Sequence, residues 1–340
     1  MKILVIRLSS IGDIILTTPI IRALRKKYPE AAIDFLVMDR FRDAINGHPD
    51  ISNILEFKRD QYRGLSGILR FSRTLKSTKY DLVIDLHAKL RSRLICRALK
   101  TRTLRYIKRS FWKTMGVRLH LMRYQVDDTI VRNYFRPLRP LGISPGPEKL
   151  SFAFTRKDTE AVTAFSNRIV LAPGAANPTK KWPAKYFSDL GRLMNQPIVL
   201  LGGPEDKEDL EVIRQHIGPG MCENLAGKLS LKQSGALLSI ARFVVTNDSG
   251  PFHMARAGGR PVFVIFGPTD PNMFTFNQNE TLIYSREPCA PCSLHGDDAC
   301  PKGHFRCMLN LTPEIVFNTI QNRLGAMNES LNLQEKNGGS

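Results

Sequence analysis

Lys2-Ile-Leu-Val-Ile-Arg-Leu8-Ser-Ser-Ile-Gly-Asp13-Ile14 opens the chain with an apolar run, a short polar turn and the start of a helical pattern. A run with no polar alternation suits a parallel strand covered on both faces. The same alternation recurs downstream. Strand candidates at Ala32–Met38, Ile54–Phe57 and Tyr80–Leu86 are separated by segments with apolar residues near helical spacing at Ile14–Tyr28, Phe41–Asn46 and Leu65–Ser77. That βαβ rhythm predicts a doubly wound α/β sheet. A Pro- and Gly-rich stretch, Pro137–Pro147, interrupts it, and the rhythm restarts with strand candidates at Arg168–Ala172, Pro197–Leu201, Phe243–Asn247 and Pro261–Phe266. Helical patterns at Ala184–Met194, Lys207–His216 and Lys232–Ala241 lie between them. The expectation is two Rossmann-like domains, 1–147 and 148–327, facing a central cleft, with a disordered tail at 328–340. A last helix near Pro313–Leu324 is expected to pack back across the boundary. Ligands of open α/β sheets bind at the carboxyl ends of the strands, so the loops there are the places to search.

The 340 residues are 42% hydrophobic and 24% charged, values that exclude wholesale disorder. The longest stretch without a charged side chain, Leu193–Pro204, is twelve residues, well short of the roughly 20 that span a bilayer. No apolar leader with a small-residue cleavage site opens the chain, so a cytoplasmic protein is expected. Charge divides the molecule. Residues 1–150 hold 31 Lys+Arg against 13 Asp+Glu, and residues 151–340 hold 19 against 18. Between Asp85 and Asp127 lie twelve basic residues and no acidic one, with Tyr106, Phe111 and Trp112 among them. Such bias marks a docking surface for a polyanion, either an anionic lipid surface or nucleic acid, in preference to a merely solvated face. No zinc finger, helix-turn-helix or RNP pattern is present, so nucleic acid is the second choice and is not the expected partner.

Three loops carry chemistry. The first, Ser9-Ser-Ile-Gly-Asp-Ile14, lacks the Gly-x-Gly-x-x-Gly fingerprint of dinucleotide folds. Ser10-x-x-Asp13 reads in one way as a capping box and in another as a carboxylate at the mouth of the cleft. The second, Pro173-Gly-Ala-Ala-Asn-Pro-Thr-Lys180-Lys-Trp-Pro183, reads in one way as backbone N–H groups and an ammonium suited to phosphate and in another as a solvated loop with surface lysines. Leu200-Leu-Gly-Gly-Pro-Glu205-Asp206 ends the next strand, and an acidic residue there is placed to meet a ribose. The third, Thr246-Asn-Asp248-Ser249-Gly250-Pro-Phe-His253, runs from a strand into a helix whose positive end suits a diphosphate. Asp248 as a plain cap and His253 as a packed core residue are the structural readings of that loop.

These motifs together resemble glycosyltransferase family 9, the ADP-heptose:lipopolysaccharide heptosyltransferases. The likeness rests on Ser9–Ile14 with Thr18-Pro19, on Pro173-Gly174 with Lys180–Pro183, on Asp248–His253 and on Phe266-Gly-Pro-Thr-Asp-Pro271. It implies a GT-B fold, an ADP-sugar donor on the second domain and a lipid A-linked oligosaccharide acceptor on the basic first domain. It further implies that Asp13 is the general base and that Lys180 contacts the donor diphosphate. Glu205, Asp248, Ser249, Gly250 and His253 complete the expected donor side. Ser9, Ser10, Arg105, Lys108, Arg109 and Lys113 form the expected acceptor side. No cofactor is expected for the chemistry, and the enzyme is expected on the inner face of the inner membrane as a peripheral protein. Four further cysteines, Cys289, Cys292, Cys300 and Cys307, leave three readings open: a structural zinc, free thiols or disulfides.

Overall fold

The computed structural model describes residues 1–107 and 126–337. Lys108, Arg109 and Lys113 lie outside the described residues. The first sheet contains β1 (Lys2–Ile6), β2 (Ala32–Met38), β3 (Asn53–Phe57), β4 (Leu82–Asp85) and β5 (Thr103–Arg105). All pair in parallel in the order β3-β2-β1-β4-β5. The second sheet contains β6 (Ile169–Ala172), β7 (Ile198–Leu200), β8 (Cys222–Asn224), β9 (Phe243–Asn247), β10 (Val262–Phe266) and β11 (Glu280–Tyr284). Its order, β11-β10-β9-β6-β7-β8, repeats the same winding with one strand more. In each sheet the chain reverses direction of travel beside the first strand, between β1 and β4 and between β6 and β9. Those are the two switch points where an open sheet leaves a crevice.

Side chains of β1 alternate between two cores. Ile3 and Val5 join one apolar cluster, and Leu4 and Ile6 join another. The first cluster also contains Val170, Ala172, Leu237 and Phe252 of the second half, so a single core crosses the seam between the sheets. Polar ties reinforce the seam. Lys232, on the helix Leu231–Ile240, donates to the carbonyls of Asn46 and Ala153. Glu148 accepts from Thr129 of the first half at 2.8 Å and from Thr275 of the second.

Several elements differ from expectation. The pattern Ile14–Tyr28 folds as two helices, Ile11–Ile15 and Thr18–Lys27. Thr17 and Thr18 turn their hydroxyls back to the carbonyls of Ile14 and Ile15, and Pro19 begins a new helix. Strands β5, β8 and β11 are absent from the sequence reading, and each lies at a sheet edge. The last helix, Pro313–Asn337, packs on the helix Ala184–Met194 and on β11, both in the second half, where packing across the boundary was expected. Its backbone also runs through most of the tail expected to be disordered. Residues 328–337 contain Glu, Leu, Gln and Lys and neither Gly nor Pro, so an established helix propagates through them at little cost. Among the described residues no helix is long and apolar enough to cross a membrane.

Candidate functional site

At the first switch point β1 gives way to Arg7, Leu8 and the turn carrying Asp13. Arg7 is 8% exposed. Its Nε donates to the Ser9 carbonyl at 2.7 Å, its Nη1 to the Leu86 carbonyl at 2.8 Å, and its Nη2 lies 2.6 Å from Asp13 Oδ2. The exposed Ser10 adds its hydroxyl at 3.0 Å and its N–H at 3.3 Å to the same oxygen. The Ser10 N–H to Asp13 bond is the reciprocal arm of the capping box expected from Ser10-x-x-Asp13, and the Ser10 hydroxyl is turned to the same carboxylate. Tyr134 OH sits 3.5 Å from Oδ1, the other oxygen. Burial pushes the Asp13 carboxyl up, but the Arg7 charge and the Ser10 hydrogen bonds outweigh it and bring the pKa down to about 2. Asp13 is thus an ionised carboxylate, with its side chain 34% exposed.

β4 supplies the neighbouring loop. Its last residue, Asp85, is fully buried and accepts from the N–H groups of His87 and Ala88, from Ser92 and from Arg105 Nε at 2.8 Å. Arg105, expected to meet the acceptor, is thereby committed to an internal carboxylate. His87 is buried with no hydrogen-bond partner at Nδ1, and burial together with Arg7 lowers its pKa to about 4.

At the second switch point Asn247 joins the two loops. Its side chain accepts from the Trp182 N–H at 3.1 Å and donates to the Pro173 carbonyl at 2.6 Å. This fixes Lys180 beside Asp248, with Nζ 2.6 Å from Oδ2, and Thr269 donates to that oxygen at 2.9 Å. Asp248 is therefore an ion-pair partner, and Ser249 takes the N-cap position of the helix Gly250–Gly258. Glu205 is exposed on the next loop. Its neighbour Asp206 turns inward, accepting from the Gly203 N–H at 3.0 Å with Lys181 at 3.7 Å. A Cβ at Gly174 would fall 2.6 Å from Asp206 Oδ2, so only glycine permits that approach.

The two switch points meet. A Cβ added to Gly12 would lie 2.4 Å from His253 Cδ2, and one added to Gly250 would lie 3.9 Å from Ile11. The turn bearing Asp13 and the N-terminus of the helix Gly250–Gly258 therefore face each other in van der Waals contact. His253 is 6% exposed, its Nδ1 has no partner, and burial with nearby Arg256 lowers its pKa to about 3. The structure thus gathers Asp13, Ser9, Ser10, Lys180, Asp248, Ser249, Gly250 and His253 along one seam. Arg7, Tyr134, Asn247 and Asp206 belong to the same constellation; the sequence alone assigns no role to the first three and leaves Asp206 and Glu205 as alternatives. An arginine closing an otherwise apolar strand beside a carboxylate turn was the one available signal for Arg7.

The zinc reading of the cysteine cluster receives no support. Cys289, Cys292, Cys300 and Cys307 are free, and among the described residues no three Cys, His, Asp or Glu side chains assemble as a metal site. Cys307 is drawn into the apolar cluster around Trp182 and Met308, where burial pushes its thiol up to about 12. Cys289 Sγ instead sits 3.7 Å from His304 Nε2. The same segment buttresses the loop that carries Lys180, since Thr179 Oγ1 donates to the Asp297 carbonyl at 2.8 Å and accepts from the Asp297 N–H at 2.7 Å.

The model of glycosyltransferase family 9 (heptosyltransferase) matches residues 68–301. Lipopolysaccharide heptosyltransferase 3 of Escherichia coli is 28% identical over 282 residues, covering 76% of this chain and 81% of its own length. Lipopolysaccharide heptosyltransferase 2 of Salmonella typhimurium is 25% identical over 353 residues, covering 95% and 99%. Among solved structures, E. coli ADP-heptose lps heptosyltransferase II superposes with a TM-score of 0.74 at 21% identity, over 96% of this chain and all of that one. The two facing parallel-sheet domains are the GT-B arrangement.

Proposed function

The chain belongs to glycosyltransferase family 9 and is a glycosyltransferase, and from that premise we propose that it transfers heptose from ADP-heptose to the lipopolysaccharide core with inversion at the anomeric carbon. The observation that carries this reading is the contact between the Asp13 turn and the helix Gly250–Gly258, through Gly12 and His253. It brings a carboxylate of one domain against a helix N-terminus of the other, an end whose free N–H groups suit a phosphate. The relatives named for lipopolysaccharide heptosyl transfer, and the solved structure named for ADP-heptose, support the choice of sugar and nucleotide.

In this reading the donor diphosphate lies at the N-terminus of the helix Gly250–Gly258, where unpaired N–H groups and the positive helix end stabilise it. Lys180 exchanges its contact with Asp248 for the β-phosphate. The acceptor hydroxyl attacks the anomeric carbon from the face opposite ADP. As the new C–O bond forms, the bond to the phosphate oxygen breaks, its electron pair leaves with ADP, and Asp13 takes the hydroxyl proton. Proton removal of this kind is worth about 10²–10⁴-fold in rate. Lys180 and the helix end oppose the charge that grows on the leaving diphosphate. Ser9 and Ser10 border the acceptor, and Glu205 or Asp206 meets the ribose. The basic first half holds the enzyme to the cytoplasmic face of an anionic membrane that carries the lipid-linked acceptor.

Asp13→Asn tests the assignment. It retains the hydrogen-bonding shape and removes the proton acceptor, so heptose transfer should fall by about 10²-fold or more with ADP affinity unchanged. Turnover within a few-fold of the wild type would leave Asp13 as a helix-capping residue only.

A further inference from the structure

Every arm of the Arg7 guanidinium is used, and the three acceptors come from the places that must stay in register for transfer. Ser9 O belongs to the loop after β1, Leu86 O to the loop after β4, and Asp13 Oδ2 to the helix that faces the other domain. The fork thereby joins the loops on both sides of the first switch point and extends its remaining arm to the carboxylate. The Tyr134 ring, 5.4 Å from the guanidinium carbon, covers it. A lysine ammonium is a point donor on a flexible stem and does not reproduce this planar three-way span.

The two oxygens of Asp13 are thereby made unequal. Oδ2 carries Arg7 and both Ser10 donors. Oδ1 has only the 3.5 Å approach of Tyr134 OH. Charge is equally lopsided. The groups facing Asp13 are Arg7 on β1, Ser10 on its own turn, His87 after β4, Tyr106 after β5, Tyr134 on the helix Ile130–Phe135 and His253 across the seam. Burial keeps both histidines and both tyrosines neutral near pH 7. Arg7 is thus the one full positive charge in that described set.

We propose that Arg7 is a positioning residue for the transfer step, which occupies Asp13 Oδ2 so that Oδ1 alone is presented to the acceptor hydroxyl. It also holds the carboxylate in its ionised form. The inference rests on Asp13 being the base. Arg7 itself neither gains nor loses a proton: the hydroxyl proton passes to Oδ1 and afterwards to solvent. A carboxylate so strongly stabilised is a weak base. It accepts the proton only when C–O bond formation is advanced and the attacking oxygen has become acidic.

The test uses the full-length enzyme with ADP-heptose and a lipopolysaccharide-core acceptor, and compares wild type, Arg7→Lys and Arg7→Met for kcat, ADP affinity and the pH profile of kcat/KM. Wild type should show no carboxylate limb between pH 4 and 6, because Asp13 titrates near 2. Arg7→Met should lose about 10²-fold in kcat and gain an acid limb in the ordinary carboxylate range, with ADP affinity preserved. Arg7→Lys keeps the charge and loses the fork, so kcat should fall by about tenfold while no limb appears. Wild-type kcat and pH profile in Arg7→Met would overturn the proposal, as would parallel loss of ADP binding and turnover in both variants. Should Arg7→Met fail to fold, Arg7→Lys decides: undiminished kcat overturns the proposal. A wild type that transfers no heptose, or an active Asp13→Asn, instead refutes the functional reading beneath it.

Discussion

Lys180 shows why a loop lysine is not interchangeable with its neighbour. Its ammonium rests on the buried Asp248 at 2.6 Å, whereas Lys181 reaches Asp206 only at 3.7 Å and is more exposed. Lys180→Ala should weaken ADP binding and lower turnover together, and Lys181→Ala should do less to both, as titration calorimetry and initial rates would report. Removing one partner of a buried pair costs about 3–5 kcal/mol in stability, so a single variant mixes binding with folding. The double variant Lys180→Met with Asp248→Asn separates them, because it leaves no unpaired charge. Recovery of ADP affinity in that variant would make Lys180 a structural residue. The sequence motifs made Asp13, Lys180, Asp248 and His253 visible because each follows a strand end. Arg7 and Tyr134 were hidden because they acquire meaning only when distant segments meet around Asp13. Glu205 and Asp206 stay alternatives in the sequence, since no spacing rule says which of two adjacent acids turns inward.

Elements were legible to the degree that they were buried. β2 and β9 lie inside their sheets, each is mostly apolar apart from Asp34 in β2 and the Thr246-Asn247 end of β9, and their limits match the sequence reading. β5, β8 and β11 are edge strands with polar interruptions, as in Cys222-Glu-Asn224, and neither alternation nor an apolar run announces them. Contact between elements of different domains had no sequence signal at all. The meeting of the helices Ile11–Ile15 and Gly250–Gly258 is testable through Gly12→Ala, whose methyl would collide with the His253 ring. Overpacking of this kind costs about 1–3 kcal/mol, and here it is relieved by separating the two helices. Transfer should fall by at least tenfold while ADP affinity, which the proposed function assigns to the second domain, changes little. An active Gly12→Ala enzyme with an unchanged melting temperature would show that the seam is slack.

At the scale of the whole molecule, three buried histidines set the acid limit. His48, His87 and His253 have pKa values of about 4, 4 and 3, below the ordinary 6.5, chiefly because burial disfavours their charged forms. The unfolded chain therefore binds protons that the folded chain refuses. Their contribution to stability is complete above about pH 6.5 and is lost as pH falls toward 4 and 3, with a slope of about 1.4 kcal/mol per pH unit for each. Asp13 adds a loss only lower, between 3.8 and about 2. Melting temperatures at pH 7 and 5 should differ markedly in the wild type and less in His253→Gln; equal drops in the two would contradict the assignment. Charge asymmetry gives a second molecular-scale expectation. Each Lys or Arg brought to an anionic surface is worth about 1 kcal/mol, so Lys108, Arg109 and Lys113 changed together to Glu should release the enzyme from anionic vesicles without altering ADP binding. Arg105 is left out of this set because it holds the buried Asp85. Unchanged vesicle binding, with tight and salt-sensitive binding to DNA, would favour a nucleic-acid partner for the basic segment.

The Gly12–His253 contact also limits how such a protein can change over generations. With the ring of one domain pressed against the missing side chain of the other, position 12 is not free to grow alone. Any lineage that enlarges position 12 must first shrink position 253 or shift the helix that carries it. The two domains, each with its own sheet, are in this respect a single heritable unit, and recombination that paired a first half from one source with a second half from another would have to inherit both residues together.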